Sequence, residues 1–141
     1  MSAEFSLPIR VYIEDTDAGG IVYYVNYLKY LERCRTEFMR ALGTDRPAIS
    51  DAGWMFVVSS LVLTYRQPAR LDDQLQATAS LLTVRGASIQ FAQTVKRKGS
   101  LLVEGEVTIA SVDRNTGKPR RLSPELKLGL EAAMKEKEAI T

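Results

Sequence analysis

The sequence predicts an α+β domain in which one long helix packs against an antiparallel sheet of five strands. One segment typical of a strand comes first, a long amphipathic helix follows, and four more strand-like segments come after the helix. Short turns that contain glycine separate the later segments, and such turns favour hairpins and therefore antiparallel pairing. The 141 residues, of which 45% are hydrophobic and 26% charged, suit a single globular domain over residues 1–141, with its core over about residues 6–122.

A change in hydrophobic period separates the first strand from the long helix. The strand is predicted over residues 7–14, where apolar side chains alternate with polar ones and Ile13 is the last apolar position. The helix is predicted over residues 26–42, with Asn26 as the N-cap and Gly43 as the C-terminal stop. Its apolar side chains recur at spacings of four and three and form one stripe: Tyr27, Leu31, Cys34, Phe38 and Leu42.

Two pairs of opposite charge are predicted on the outer face of this helix. Glu32 precedes Arg35 by three residues, and Glu37 precedes Arg40 by the same spacing. Residues three apart are neighbours on a helix surface, so each pair can form an ion pair. We interpret both pairs as a solvated surface.

Four strands are predicted in the second half of the chain, after a loop over residues 43–53. The first of these strands is apolar on both faces, which is typical of a buried strand. A terminal helix is expected at about residues 123–138, because Ser123 is a good N-cap and Pro124 suits the first helical position. The edges of such a sheet need covering, and pairing with a second copy covers one of them. The four strands are predicted over residues 54–66, 74–84, 88–97 and 101–112.

The composition excludes several classes of function. A net charge of +2 does not indicate a general nucleic-acid binding surface, and the basic clusters at residues 96–98 and 118–121 are typical of solvated loops. The absence of histidine excludes a Ser-His-Asp triad, a Cys-His pair and a histidine-ligated metal, and the single cysteine excludes an internal disulfide. No signal-peptide pattern and no apolar run of membrane-spanning length occurs, so we expect a cytoplasmic protein. We also expect that it uses no metal and no cofactor.

The segment DTDAGG at residues 15–20, between the first strand and the long helix, carries the candidate chemistry. A helix N-terminus offers unpaired backbone N–H groups, and glycine lets a ligand approach the backbone closely. A carboxylate beside such amides can act as a nucleophile or general base while the amides hold a developing oxyanion, which suits acyl transfer. The residues alone leave a second interpretation open, in which the aspartates and glycines only shape a turn. Asp15 is the better candidate for such a turn residue.

A resemblance to a known family extends over roughly residues 8–121. The string YIEDTDAGGIVYYVNYL, followed by YLERCRTEFMR, closely resembles the signature of the hotdog-fold acyl-CoA thioesterases. The segments FVVSSLVLTYRQPARLDD and LLTVRGASIQF resemble the same family. Within it, the chain is most similar to the 4-hydroxybenzoyl-CoA thioesterase-like group, and there to the Tol–Pal-associated, YbgC-type acyl-CoA thioesterases.

The resemblance implies a fold, an activity and an assembly. The implied fold is the hotdog, a five-stranded antiparallel sheet wrapped around a long central helix, and the helix at the C-terminus is additional. The implied activity is hydrolysis of the thioester of an acyl-coenzyme A. The implied assembly is a homodimer or homotetramer whose active sites lie at the subunit interface. Association with the Tol–Pal envelope system and with acyl carrier protein is implied in the same way.

The resemblance also implies roles for three residues near the helix start. Asp17 matches the catalytic carboxylate, which attacks the thioester carbonyl or activates a water molecule. Tyr24 falls where a backbone N–H polarises that carbonyl, and Gly20 lies in the turn that lets the substrate reach the helix terminus. Many YbgC-type members carry histidine at position 24, so the tyrosine here argues against any mechanism that needs a histidine acid or base.

Four further residues are candidates for substrate binding. Val57 and Val58 are candidates for the lining of an acyl pocket, although apolar strand residues are core residues by default. Arg85 lies at a hairpin turn and Arg120 in the late basic loop, and a guanidinium suits the phosphates of coenzyme A. Both assignments follow from the position of the nucleotide near such loops in the family.

Two other functions remain open at this point. The chain could be a non-catalytic module on the same fold that binds acyl carrier protein or an envelope partner. A hotdog dehydratase is disfavoured, because that reaction normally uses a histidine base and the chain has none. The length and the aromatic or aliphatic nature of the acyl group also stay open.

Overall fold

The computed structural model describes residues 4–44 and 53–140, and for residues 136–140 it describes the backbone alone. Most of the predicted loop at residues 43–53 therefore lies outside the described residues. The described part contains five strands, two α-helices and one short 3-10 turn. In chain order these elements are β1 (Phe5–Arg10), the 3-10 turn (Ile13–Asp15), α1 (Asn26–Ala41), β2 (Trp54–Tyr65), β3 (Gln74–Arg85), β4 (Ser88–Arg97), β5 (Ser100–Asp113) and α2 (Pro124–Ile140).

The strands form one antiparallel sheet in the order β1-β3-β4-β5-β2. The three hairpin-connected strands lie in the middle, and the two strands that precede them, β1 and β2, lie at opposite edges. This order and the central helix confirm the predicted α+β class. They also place β2 at an edge, with one side of its backbone unpaired among the described residues.

Helix α1 crosses one face of the sheet, over β1, β3 and β4. The predicted apolar stripe is confirmed, since Tyr27, Leu31, Cys34 and Phe38 are buried. The thiol of Cys34 donates to the carbonyl oxygen of Ala77 at 3.4 Å, which attaches the middle of the helix to the first half of β3. Burial raises the pKa of this thiol to about 12.

The first strand ends earlier than the alternating pattern predicts. The chain turns into the 3-10 turn at Ile13, whose side chain is 75% exposed and not part of the core. The reason lies in Asp15, whose carboxylate accepts the backbone N–H of Tyr12 at 2.9 Å and so closes a turn at the end of the strand. Alternation alone cannot detect a side chain that competes for a strand's backbone donors.

One of the two predicted charge pairs on α1 is confirmed and the other is wrong in its placement. Glu37 and Arg40 form an exposed ion pair. Arg35, in contrast, is buried at 8% exposure and donates to Gln93 of β4, whereas Glu32 is exposed. The predicted N-cap is also wrong by one residue, because the cap is Val25 and Asn26 is the first helical residue.

The prediction that β2 is buried on both faces is wrong for the described chain. Its central residues are exposed, including Val57, Val58, Leu61 and Val62. The apolar pattern did not reveal that β2 lies at an edge of the sheet, where it pairs only with β5. That contact is close at Gly105, because a Cβ atom there would lie 2.0 Å from the carbonyl oxygen of Val62.

Helix α2 begins as the sequence predicts. The hydroxyl of Ser123 accepts the backbone N–H of Leu126 at 3.2 Å, and Pro124 is the first helical residue. Leu126 and Leu130 are buried and join the core cluster. None of the described helices is both long enough and apolar enough to span a membrane.

Candidate active site

The DTDAGG segment forms a small hairpin just before α1. Thr16 and Val22 pair as an antiparallel bridge, and the backbone N–H of Asp17 donates to the carbonyl of Ile21 at 2.9 Å. Gly20 closes the turn, donating to the carbonyl of Asp17 at 3.1 Å with a φ of +78°, which side chains rarely adopt. The hairpin therefore carries Asp17 and the start of α1 on adjoining pieces of chain.

The carboxylate of Asp17 is exposed to solvent at the tip of this hairpin. One of its oxygens, Oδ1, accepts the backbone N–H of Gly19 at 2.8 Å. A Cβ atom at Gly19 would lie 3.3 Å from that oxygen, so the glycine permits a close approach. Asp17 thus has the turn role that the sequence left open. Its other oxygen has no hydrogen bond among the described residues.

Tyr24 lies one residue before the N-cap of α1, and its side chain is exposed. Its carbonyl oxygen accepts the N–H of Tyr27 at 3.4 Å and the hydroxyl of Tyr65 at 3.3 Å. No hydrogen bond among the described residues uses the backbone N–H of Tyr24. This donor lies at the positive end of the helix dipole, where a partial negative charge is stabilised.

Asp15 and Asn26 hold the hairpin to the helix through a contact that no sequence pattern predicted. The carbonyl oxygen of Asp15 accepts the side-chain amide of Asn26 at 2.8 Å and the backbone N–H of Tyr23 at 3.0 Å. The hydroxyl of Tyr30 is buried and has no hydrogen-bond partner among the described residues. Burial and the adjacent Asp15 carboxylate raise the pKa of Tyr30.

The hairpin is also attached to the loop between β2 and β3. The backbone N–H of Ala69 donates to the hydroxyl of Tyr27 at 2.9 Å, and its carbonyl accepts the N–H of Val22 at 2.8 Å. Ile21 pairs with Arg70 as a further antiparallel bridge. The first turn of α1 and the candidate hairpin are therefore both hydrogen-bonded to this loop.

An aromatic cavity of about 330 Å³ opens beside the start of α1. Tyr24, Tyr27 and Tyr65 line it, with ring centroids 6.1 Å apart for Tyr24–Tyr65 and 5.6 Å apart for Tyr27–Tyr65. Tyr65 is the last residue of β2, 41 positions after Tyr24. The sequence contained no signal for its place in the site, because only the folded sheet brings it there.

A trough runs from this end of α1 between the helix and β2. It contains two cavities of about 200 Å³ and 170 Å³, and we call the pair the α1–β2 trough. Val58 lines both cavities and Val57 lines the one further from Tyr24. Both predicted acyl-pocket residues therefore line the cavities between α1 and β2.

The structure brings Arg85 and Arg120 to one end of the sheet and Asp17 to the other. Arg85 ends β3 at the turn whose Gly86 carbonyl accepts the N–H of Leu122 at 2.9 Å, and Arg120 lies 3.8 Å from Asp113 at the end of β5. The candidate hairpin is attached to the loop before the first residue of β3. A 12-residue strand spans roughly 40 Å, so these arginines do not reach Asp17 of the same chain.

Solved structures share this architecture. A probable thioesterase from Bartonella henselae has a TM-score of 0.80 and 33% identity, and the match covers 85% of this chain and 99% of that one. A DHNA-CoA thioesterase from Staphylococcus aureus has a TM-score of 0.87 over 98% of this chain and 95% of that one. Because the two sequences are only 18% identical, this match supports the fold alone. The class of protein is thus a thioester hydrolase with the hotdog fold.

The family follows from the sequence comparisons. The model of the Thioesterase-like superfamily matches residues 11–130, and the chain belongs to that family. The acyl-CoA thioesterase YbgC of Haemophilus influenzae is 41% identical over 124 residues, which cover 87% of this chain and 91% of that protein. The acyl-CoA thioester hydrolase YbgC of Escherichia coli O157:H7 is 42% identical over 119 residues, with 84% and 89% covered. The resemblance stated from the sequence is confirmed.

Proposed function

We propose that the protein hydrolyses the thioester bond of an acyl-coenzyme A and that Asp17 is the catalytic carboxylate. The observation that carries the proposal is that two groups lie on adjoining pieces of chain: the accessible carboxylate of Asp17 on the hairpin and the unused backbone N–H of Tyr24 at the helix start. The relatives named acyl-CoA thioesterases support the substrate class.

The two groups divide the chemistry between them. The thioester carbonyl oxygen accepts the N–H of Tyr24, which stabilises the negative charge that develops on that oxygen. The free oxygen of Asp17 attacks the carbonyl carbon or removes a proton from an attacking water molecule. If Asp17 attacks, the C–S bond breaks to give a mixed anhydride on Asp17, and a water molecule then hydrolyses this anhydride. If Asp17 activates a water molecule, the water oxygen bonds to the carbonyl carbon as the C–S bond breaks. In both routes coenzyme A leaves as a thiol after taking up a proton, and the acyl group is released as a carboxylate that carries one oxygen from water. The Gly19 N–H on Oδ1 orients the Asp17 side chain for this step.

The substrate is placed along the depressions next to this hairpin. The acyl group enters the α1–β2 trough, where Val57 and Val58 contact it, and Gly20 keeps the approach to the helix start open. A side chain at Gly20 would demand a strained backbone, since its φ is +78°. The direction of the trough, away from Tyr24 along the helix, supports this placement.

A homodimer or homotetramer gives Arg85 and Arg120 a place in the same site. The free edge of β2 carries exposed apolar residues and can pair with β2 of a second copy. A twofold axis makes such a pair antiparallel. It therefore brings the sheet end with Arg85 and Arg120 in one copy towards the Asp17 end of the other, where they can bind the phosphates of coenzyme A.

Location and protein partners are proposed on the same basis. A cytoplasmic location is compatible with the single free thiol of Cys34, since structural disulfides are typical of oxidising compartments. Acyl carrier protein is a second source of thioester substrate, and association with the Tol–Pal system follows from the resemblance to the YbgC-type proteins.

A panel of acyl-CoA substrates with detection of the released thiol tests the function. Short aliphatic, long aliphatic and aromatic acyl groups should be included, together with acylated acyl carrier protein. We expect turnover of at least one substrate that is lost when Asp17 is replaced. Binding of acyl carrier protein without turnover of any thioester would instead identify a non-catalytic module.

Replacing Tyr24 with Phe is expected to lower kcat less than about tenfold, because the backbone N–H remains and the ring keeps nearly its full volume. Deleting an oxyanion donor itself costs about 10²–10³ in kcat. Steady-state kinetics on the best substrate of the panel measure the difference. Loss of all turnover in this variant would show that the phenol of Tyr24, and not its backbone N–H, is the group that the reaction needs. Tyr23→Phe, at the exposed neighbouring ring, is the matched control.

A further inference from the structure

Arg35 is a buried cation that the proposed chemistry does not use. Its side chain lies on α1, is 8% exposed, and burial lowers its pKa. Its Nη1 donates to Oε1 of Gln93 at 2.9 Å, and this is its one hydrogen bond among the described residues. No carboxylate of the described residues lies within 4 Å of the guanidinium in an ion pair. A guanidinium carries five N–H donors, so most of its capacity is unused.

The guanidinium is held in place by a second buried side chain. Gln93 is 1% exposed, and its Nε2 donates to the carbonyls of Leu31 at 3.1 Å and Thr78 at 3.3 Å. The amide orientation that satisfies these carbonyls leaves Oε1 for Arg35. The cation is therefore positioned in advance by α1, β3 and β4, as a binding group must be.

The side chain of Arg35 borders the α1–β2 trough. Arg35 lines both of its cavities, and it does so together with apolar side chains: Leu28, Leu31, Met39, Phe56, Val57, Val58, Leu61, Val107 and Ile109. Glu32 lines the same trough but is exposed, and its charge offsets that of Arg35 only at a distance. A buried charge without a partner is costly, so an anion that enters the trough gains a strong interaction there.

The position along the helix sets the length of the ligand. Arg35 follows the N-cap Val25 by ten residues, which corresponds to about 15 Å of helix rise, and helical side chains lean back towards the N-terminus. A group bound at the Tyr24 N–H is therefore about 10–15 Å from the guanidinium, the length of an extended chain of roughly eight to twelve carbon atoms.

We propose that Arg35 binds a carboxylate at the far end of the acyl group, so that the preferred substrates are coenzyme A thioesters of dicarboxylic acids of about this length. The inference rests on the proposed function, because it places the thioester at Asp17 and Tyr24. Arg35 sets the specificity and takes no part in bond breaking. A guanidinium binds a carboxylate through two parallel hydrogen bonds, and one N–H towards Gln93 leaves enough donors for both.

The test compares two pairs of substrates that differ only at the far end of the chain. The pairs are octanoyl-CoA with 7-carboxyheptanoyl-CoA, and decanoyl-CoA with 9-carboxynonanoyl-CoA. For the wild type we expect kcat/KM to be at least about tenfold higher for the carboxylated member of one pair. Arg35→Met should abolish this preference by raising KM for the carboxylated ester, while the value for the methyl-ended ester changes little. Arg33→Met, at an exposed arginine of the same helix, should keep the preference.

Two further results keep the inference open to contradiction if Arg35→Met folds poorly. Glu32→Gln removes a negative charge that repels the carboxylate of the substrate, so it should increase the preference for the carboxylated ester. If Glu32 were the true partner of Arg35, the same change would lower Tm and leave the preference unaltered. Equal or better hydrolysis of the methyl-ended esters by the wild type overturns this inference alone, whereas no Asp17-dependent hydrolysis of any ester overturns the proposed function with it.

Discussion

Asp17→Asn is expected to lower kcat by about a thousandfold or more, with little change in KM. The amide removes both the negative charge and the basicity of the side chain. Its Oδ1 can still accept the N–H of Gly19, so the turn at the tip of the hairpin is retained. In the proposed function, substrate binding depends on the trough and on the coenzyme A moiety, and the substitution changes neither. The expected loss is therefore chemical and not structural.

The measurement is steady-state kinetics on the best acyl-CoA of the panel, with Tm recorded for each variant. Asp72→Asn is the matched control, because Asp72 is also an exposed loop aspartate and its φ of +69° suits asparagine. We expect the control to stay within about twofold of the wild type. Near-normal hydrolysis by Asp17→Asn would remove Asp17 from the mechanism and leave the hairpin with its turn role alone.

Gly105→Ala is expected to destabilise the fold by roughly 3 kcal/mol or more, although it adds a single methyl group. The new Cβ would lie 2.0 Å from the carbonyl oxygen of Val62 and 3.0 Å from the Cα of Leu63, and both are backbone atoms of β2. A rotamer change cannot relieve a contact with backbone. Strand β2 must move away from β5, and the edge that we assign to subunit pairing moves with it.

Thermal unfolding and light scattering measure the two consequences of this variant. Gly129→Ala is the control, because a Cβ at this position of α2 meets nothing within 4 Å and alanine favours helix. It should leave Tm equal or raise it slightly. The wild type should scatter as a dimer or tetramer at assay concentration, and Gly105→Ala should shift towards the monomer. An active wild-type monomer would contradict the shared site, and an unchanged Tm in Gly105→Ala would contradict the close strand contact.

The sequence predicted the secondary structure well where one local signal dominates. The periodic stripe of α1 and the cap at Ser123 are examples, since each depends on residues within a few positions. It failed at Ile13, where a carboxylate two residues later diverts the chain, and at Arg35, where a partner 58 positions away draws a charge into the interior. It also failed for β2, whose central apolar residues are exposed in the described chain, because an apolar pattern does not report whether a strand lies inside the sheet or at its edge.

The candidate site divides in the same way. Asp17, Gly20 and Tyr24 lie close together in the sequence, and one short string identified all three as candidates. Tyr65 and Gln93 form hydrogen bonds with residues 41 and 62 positions away, and no pattern of spacing predicts these contacts. Candidate groups that are neighbours in the chain can therefore be named from the sequence, whereas contacts between distant residues are visible only after folding.

Cys34 is fully buried, so its reactivity can report the unfolding of the protein. The thiolate is the form that attacks a thiol reagent, and a thiol with no exposed surface and a pKa raised by burial to about 12 is almost entirely protonated and inaccessible. In the folded protein, Cys34 therefore adds no background signal to an assay that measures released coenzyme A thiols. Once α1 leaves β3, one new thiol per chain becomes reactive. The same reagent therefore measures catalysis in the native protein and the rate of opening of its core under denaturing conditions.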